Sequence, residues 1–168
     1  ERRGDAKAAS ELRDATGCAR EATLLGPVDY FNVSGARAPA ILARPGQPLP
    51  GEIAGPGPFV PKLVPAKVKG FGCRLPLWAQ TSALGVREVA VDVQVPSAGW
   101  IGVGFWSPSA AVLHAGGTKV VERPHAIGSR PAARFARIES TSGTLRLVLR
   151  VGMDQDFQHV ELAAWDAQ

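Results

Sequence analysis

Sulfur, aromatic rings and imidazoles are scarce in this chain. It holds two cysteines, one methionine, one tyrosine, four tryptophans and three histidines among 168 residues. The two cysteines, Cys18 and Cys73, form neither a CxxC pair nor a metal-ligand cluster with a histidine, which argues against a zinc site. No run approaches 18 consecutive apolar residues, so no segment has the length and apolarity of a membrane-spanning helix. There is no GxSxG, and none of His114, His125 and His159 adjoins a recognisable nucleophile motif. No residue is therefore assigned a catalytic role. Zinc-finger spacing and aromatic-bearing RNA-binding segments are also missing, which leaves nucleic acid without a motif.

What is present is globular in character. Hydrophobic residues make up 45% of the chain and charged ones 20%, a balance that can bury a core. The length suits one structural domain, or one domain with an ordered arm. The chain opens Glu-Arg-Arg, without an initiator methionine or a signal peptide, and reads as a processed chain or an excised soluble piece of something larger.

Three zones follow along the chain. Residues 1–25 read as an N-terminal helical lead-in. Ala8, Leu12 and Ala15 fall at helical spacing, Asp5 or Ser10 can cap the start, and Gly17 stops it. Residues 26–76 carry 10 of the 14 prolines. Proline removes backbone donors and pushes its predecessor out of the helical region, which excludes a long helix or a central strand. Interleaved apolar residues such as Ile41, Leu42, Leu49, Ile53, Leu63 and Val64 favour an ordered proline-rich strap with short edge strands over a loose linker.

From residue 77 to 168 the period is two. Val89, Val91, Val93 and Val95 share one face, with Ala90, Asp92 and Gln94 on the other. The turn Pro96–Gly99 predicts a hairpin over 86–106, and Ser140–Gly143 predicts a second one between "ARFARIE" and "TLRLVLRV". In the latter strand, Leu145, Leu147, Leu149 and Val151 point inward, and Arg146 and Arg150 outward. Short strands at about ten-residue spacing with turns between them predict an all-β, jelly-roll-like β-sandwich.

The cysteines have two readings: a disulfide, or two unrelated buried thiols. A disulfide is preferred because both lie in segments poor in regular structure, where a staple helps. Closing a loop of about 56 residues contributes on the order of 4 kcal/mol in the chain-entropy treatment. Such a bond places the protein outside the cytoplasm.

The segment "AGWIGVGFW" at 98–106 is the main candidate for function. Ile101, Val103 and Phe105 share one face, which joins the core. Trp100, Gly102, Gly104 and Trp106 share the other. The tryptophans lie roughly 20 Å apart along a strand, too far to grip one ring together. They can mark two subsites for a sugar, or they can be core residues. The glycines leave a trough between them, filled either by another layer or by a ligand. The proline strap is the favoured filler. Trp100, Trp106, Trp78, Arg130 and Arg134 are the candidate carbohydrate-binding residues.

Charge adds two further candidates. Residues 119–150 hold seven cations (Lys119, Arg123, Arg130, Arg134, Arg137, Arg146, Arg150) against Glu122 and Glu139. They read either as solvated strand faces or as a basic surface for an acidic partner such as a membrane surface. Asp154, Asp156 and Asp166 supply oxygen ligands of the kind calcium takes, or simply make a polar turn.

Three resemblances bear on function. "AGWIGVGFW" resembles the Gly-Trp-X-Gly-X-Gly-Phe strand of DOMON domains, β-sandwiches of which some bind haem or sugars. Their haem ligands are Met with His or Lys, whereas the only methionine here, Met153, lies far downstream of that strand. "LRLVLRVGMDQDFQHVELAAWD" is similar to the closing strands of galactose-binding-like jelly rolls. "LRDATGCA", the proline strap and the terminal strands together look like the extracytoplasmic carbohydrate-binding domains of actinobacterial membrane glycosyltransferases of the arabinosyltransferase type. The Ala, Arg, Gly and Pro bias suits such a bacterium. These resemblances imply a non-catalytic, extracytoplasmic module that binds or positions cell-envelope glycan, serving a larger membrane or wall-assembly protein. The rival expectations are a structural or protein-interaction domain with a membrane-protein partner, and a haem-binding redox module.

Overall fold

The computed structural model describes residues 17–30, 40, 42, 48–57, 60–77, 85–95, 97–124, 132–153 and 158–166. Of these, residues 29, 30, 55–57, 60, 61, 153 and 166 are described by their backbone alone. The regular structure among them is all strand: β1 (Glu21–Tyr30), β2 (Ile53–Gly57), β3 (Val60–Leu63), β4 (Ala66–Lys69), β5 (Leu75–Pro76), β6 (Gly85–Val95), β7 (Gly99–Ser107), β8 (Ala111–Ala115), β9 (Thr118–Arg123), β10 (Ala132–Ser140), β11 (Gly143–Met153) and β12 (His159–Asp166).

Two sheets face each other. One has six strands in the order β4-β1-β6-β11-β8-β9, and the other has four in the order β10-β7-β12-β5. Between them lies the main core. Leu24, Val89, Leu113, Leu147 and Leu149 of the larger sheet meet Leu75, Val103, Phe105, Val160 and Leu162 of the smaller one. Each of these is a period-two position, so every strand turns its apolar side to the same interior.

Both predicted hairpins are corrected. β6 pairs with β1 and β11, whereas β7 pairs with β10 and β12, so the turn after Val95 crosses between sheets. The turn at Ser140–Gly143 crosses back in the same way, from β10 to β11. The reason is burial. Val89, Val91 and Val93 cover Ile101, Val103 and Phe105 better from a facing sheet than from beside them. The tight hairpin of the region is instead β8–β9, where Gly116 and Gly117 both take positive φ (56° and 89°), the turn geometry that glycine adopts at least cost.

The proposed N-terminal helix, residues 1–16, lies outside the described residues. Residues 21–25, read with it as a helical lead-in, are instead strand: β1 runs through residue 25 into the proline-rich zone and lies between β4 and β6. Its apolar Ala22, Leu24 and Leu25 are buried, which secures the strand against the low strand content read there. The Pro27 that follows falls where the β1–β6 register shifts between Leu25 and Asp29, a place in a sheet that tolerates proline.

The described part of the strap packs elsewhere than over the trough. Leu42, Leu49, Ile53 and Leu63 pack with Leu25, Ala90 and Val148 on the outer face of the six-stranded sheet, forming a second apolar layer. This explains the burial of β6: Gly85–Ala90 is buried on both faces, and alternation begins only beyond it. The strap also covers charge. Arg150 Nη1 donates to Glu88 Oε1 at 2.6 Å, and the Leu42 amide donates to Glu88 Oε2 at 2.8 Å. Arg150 does point away from the main core, but into this covered layer and not into water.

The Cys18–Cys73 disulfide is formed. It staples the edge of the four-stranded sheet, where Cys18 bridges Ala163 and the Ala19 amide donates to Leu162 O at 2.8 Å.

Candidate functional site

The outer face of the four-stranded sheet gathers three of the five large hydrophobic side chains exposed among the described residues, Trp100, Phe135 and Trp165. Directly paired residues share a face in an antiparallel sheet. The register therefore aligns Trp106, Gly104, Gly102 and Trp100 of β7 with Ala133, Phe135, Arg137 and Glu139 of β10 on one side. On the other side it aligns the first three with Glu161, Ala163 and Trp165 of β12. His159 follows by parity.

The trough is filled by these neighbours. A Cβ on Gly102 would overlap the Trp165 indole, and one on Gly104 would overlap the Phe135 ring. The glycines are thus seats for aromatic rings from the flanking strands. Phe135 and Trp165 meet edge to face across β7, with ring centroids 5.8 Å apart. At one end Trp106 stacks on His159 at 4.9 Å. At the other, the Arg137 guanidinium lies 5.1 Å from the Trp100 ring centroid.

These rings stay accessible. Trp100 is 50% exposed, Phe135 64% and Trp165 36%. Trp100, Trp165 and Arg137 also line a cleft of about 440 Å³ at the end of the sandwich, with Gln94, Ser97 and Gly99 from the β6–β7 crossing. Flat apolar ring faces, flanked by the donors of Arg137 and the acceptors of Glu139 and Glu161, are the chemistry that a polyhydroxylated ring needs: C–H faces to stack, hydroxyls to bond. Burial holds the His159 imidazole below its ordinary range; nearby Arg74 adds to this and Glu161 opposes it. A neutral His159 can both donate to and accept from a hydroxyl.

Of the residues singled out from sequence, Trp100 and Trp106 lie at the two ends of this face. Arg134 is exposed but pairs with Phe105, on the opposite side of β10, and donates to Ala133 O at 2.9 Å. Trp78, Arg130, Asp154 and Asp156 lie outside the described residues, and Asp166 is placed by its backbone alone, opposite Ile101. Met153 ends β11 in the other sheet from the DOMON-like strand. Phe135 and Trp165 were not singled out, and Arg137 only as part of the basic stretch. The parity of "RFAR" and "ELAAWD" places each on a strand face, but only register shows that both faces are the one carrying Trp100.

The described cations of the basic stretch do not gather into a single patch. Arg123 and Arg150 are buried, Lys119 pairs with Glu122 at 3.0 Å, and Arg146 holds Asp92 through two bonds of 2.7 and 3.0 Å. Sequence position brings these cations together, but their strands belong to different sheets and faces.

No family model and no curated protein sequence matches the chain. Among solved structures, a β-glucosidase from Kluyveromyces marxianus is similar over 88% of this chain, with a TM-score of 0.51 and 8% identity. The match spans 16% of that enzyme's length. A family 35 carbohydrate-binding module from an environmental isolate is similar over 60% of this chain and 77% of its own, with a TM-score of 0.42 and 12% identity. A β-glucuronidase from an uncultured Clostridium matches over 88% of this chain and 29% of its own, with a TM-score of 0.46 and 11% identity. At such identities the β-glucosidase likeness concerns the fold alone.

Proposed function

We propose that this chain is a non-catalytic carbohydrate-binding module that takes glycan on the outer face of its four-stranded sheet. The observation that carries the reading is the joining of three exposed rings, Trp100, Phe135 and Trp165, with Arg137 beside the end cleft. Folding alone does not call for such a face, since it leaves large apolar area in water. The disulfide supports an oxidising, extracytoplasmic setting. A jelly-roll connection of the strands, cell-envelope glycan as ligand and a glycosyltransferase as parent protein belong to the same proposal, resting on the sequence resemblances.

Titration with envelope polysaccharides, read by tryptophan fluorescence and backed by a glycan array, tests it. Binding shifts the emission of the exposed indoles, and Trp100→Ala with Trp165→Ala abolishes the response. No response at millimolar ligand overturns the reading. Retention of binding by that double variant moves the site elsewhere.

A further inference from the structure

A second surface stands apart from the aromatic face. Phe71 is 92% exposed, the barest large apolar side chain among the described residues. It sits at the tip between β4 and β5, and its setting is unusually stiff. The Phe71 amide donates to Arg74 O at 3.0 Å and the Arg74 amide returns to Phe71 O at 3.3 Å, closing a tight turn. Cys73, inside that turn, is bonded to Cys18. Just before it, the Gly70 amide donates to Arg20 O at 2.7 Å. Three restraints within five residues thus hold up a ring that is almost fully solvated. The backbone that carries the ring is thus held in one conformation, with the ring on its solvent side. Fixing a group in its presenting position lowers the ordering cost of whatever it binds.

The charge around it has one prevailing sign. Arg20, Lys67, Lys69 and Arg74 are exposed on and beside the turn, against the carboxylates of Glu21 and Glu161 and, within reach of Lys67, Asp92. Among the described pairs there, Lys69–Glu21 at 3.5 Å and Arg74–Glu161 at 3.9 Å are long and exposed, so they neutralise little. We infer that the Phe71 turn docks on an anionic lipid surface, the ring entering the headgroup boundary while the surrounding cations meet lipid phosphates. Both halves have a physical basis. An aromatic side chain gains from burial at the interface, and each cation near an anionic leaflet adds to the attraction. One ring and a few cations give weak, reversible contact. That suits a domain already tethered near a membrane, where the contact would set orientation and not capture. The inference does not rest on the glycan reading, since Phe71 lies outside that face.

Co-sedimentation of the intact chain with vesicles of phosphatidylglycerol and phosphatidylcholine tests it, with pure phosphatidylcholine vesicles as the comparison. Binding appears only with the anionic lipid and weakens as salt is raised. Phe71→Ala lowers partitioning on the order of tenfold, and Lys69→Glu about fivefold. Phe71→Trp adds a blue-shifted component to the emission difference spectrum on mixing with anionic vesicles. Because the ring is bare, these variants keep the far-ultraviolet dichroism and melting of the parent. Equal partitioning of parent and Phe71→Ala, or a Phe71→Trp emission that anionic vesicles leave unchanged, overturns the inference. So does binding that ignores lipid charge. A failed glycan titration with intact vesicle binding overturns only the carbohydrate reading, and the converse only this one.

Discussion

The outer faces of the two sheets are built from similar strands and end up as opposites. On the six-stranded sheet the strap covers Ala90 and Val148 and seals the Glu88–Arg150 pair beneath it. Further along the same two strands, Asp92 and Arg146 form an equivalent cross-strand pair in reach of water. On the four-stranded sheet no described segment lies over the aromatic rings, and the glycines beneath them let the rings approach the β7 backbone closely. Charge placed under a cover costs desolvation and must be fully partnered; rings left uncovered forgo burial. The first arrangement serves stability. The second is hard to account for without a ligand.

The comparison can be broken most forcefully at the covered face. Glu88→Ala leaves the Arg150 guanidinium buried without its carboxylate and lowers unfolding free energy by about 3–5 kcal/mol. Urea denaturation measures this, and the double change Glu88→Leu with Arg150→Met recovers most of it. If the single variant melts like the parent, the strap does not seal the pair.

Reduction of Cys18–Cys73, or Cys18→Ser, releases a 55-residue separation and costs on the order of 4 kcal/mol by the chain-entropy treatment. Thermal melts with and without reductant give the value. The aromatic face keeps its ligand response only if the sheet edge stays paired without the staple.

The bare face predicts the reverse split between stability and binding. Trp100→Ala changes stability by less than about 1 kcal/mol, because half the side chain is already in water. Its glycan affinity nonetheless falls at least tenfold in the titration. Gly102→Ala sharpens the point: the new methyl pushes the Trp165 indole off its seat and away from Phe135, outside the main core. It costs about 1–3 kcal/mol and alters the indole emission and the binding.

Acid separates the faces least. Burial holds both His114, under the covered face, and His159, on the aromatic one, below the ordinary imidazole value near 6.5. For His114 a hydrogen bond with the Val148 backbone opposes the shift. The unfolded chain therefore binds more protons, so this contribution to stability is fully present above about pH 6.5 and declines as pH falls below it. Asp92 runs at lower pH. Its hydrogen bonds from Arg146 hold it below the usual carboxylate range, so its contribution persists above 3.8 and is lost as pH falls through that lowered value. Denaturant midpoints between pH 7.5 and 5 track the first effect, and His114→Gln flattens the profile.

The sequence by itself determined the strand character beyond residue 86 and the inward faces of β6, β7, β11 and β12, and it favoured a disulfide between its two cysteines without deciding it. These are local matters: period-two burial acts within a few residues, and proline and glycine restrict the backbone wherever they stand. Only tertiary structure decided which strands are neighbours. A turn such as Pro96–Gly99 is compatible with a hairpin or a crossing, and the choice depends on which arrangement buries Val89 against Phe105, a contact made across the sandwich. Three features followed from that choice alone. Arg150 was buried, because its neighbour in space is the strap. The basic stretch was scattered over different faces. In "AGWIGVGFW" the trough between Trp100 and Trp106 was filled by Phe135 and Trp165, from strands that lie beside it only through register.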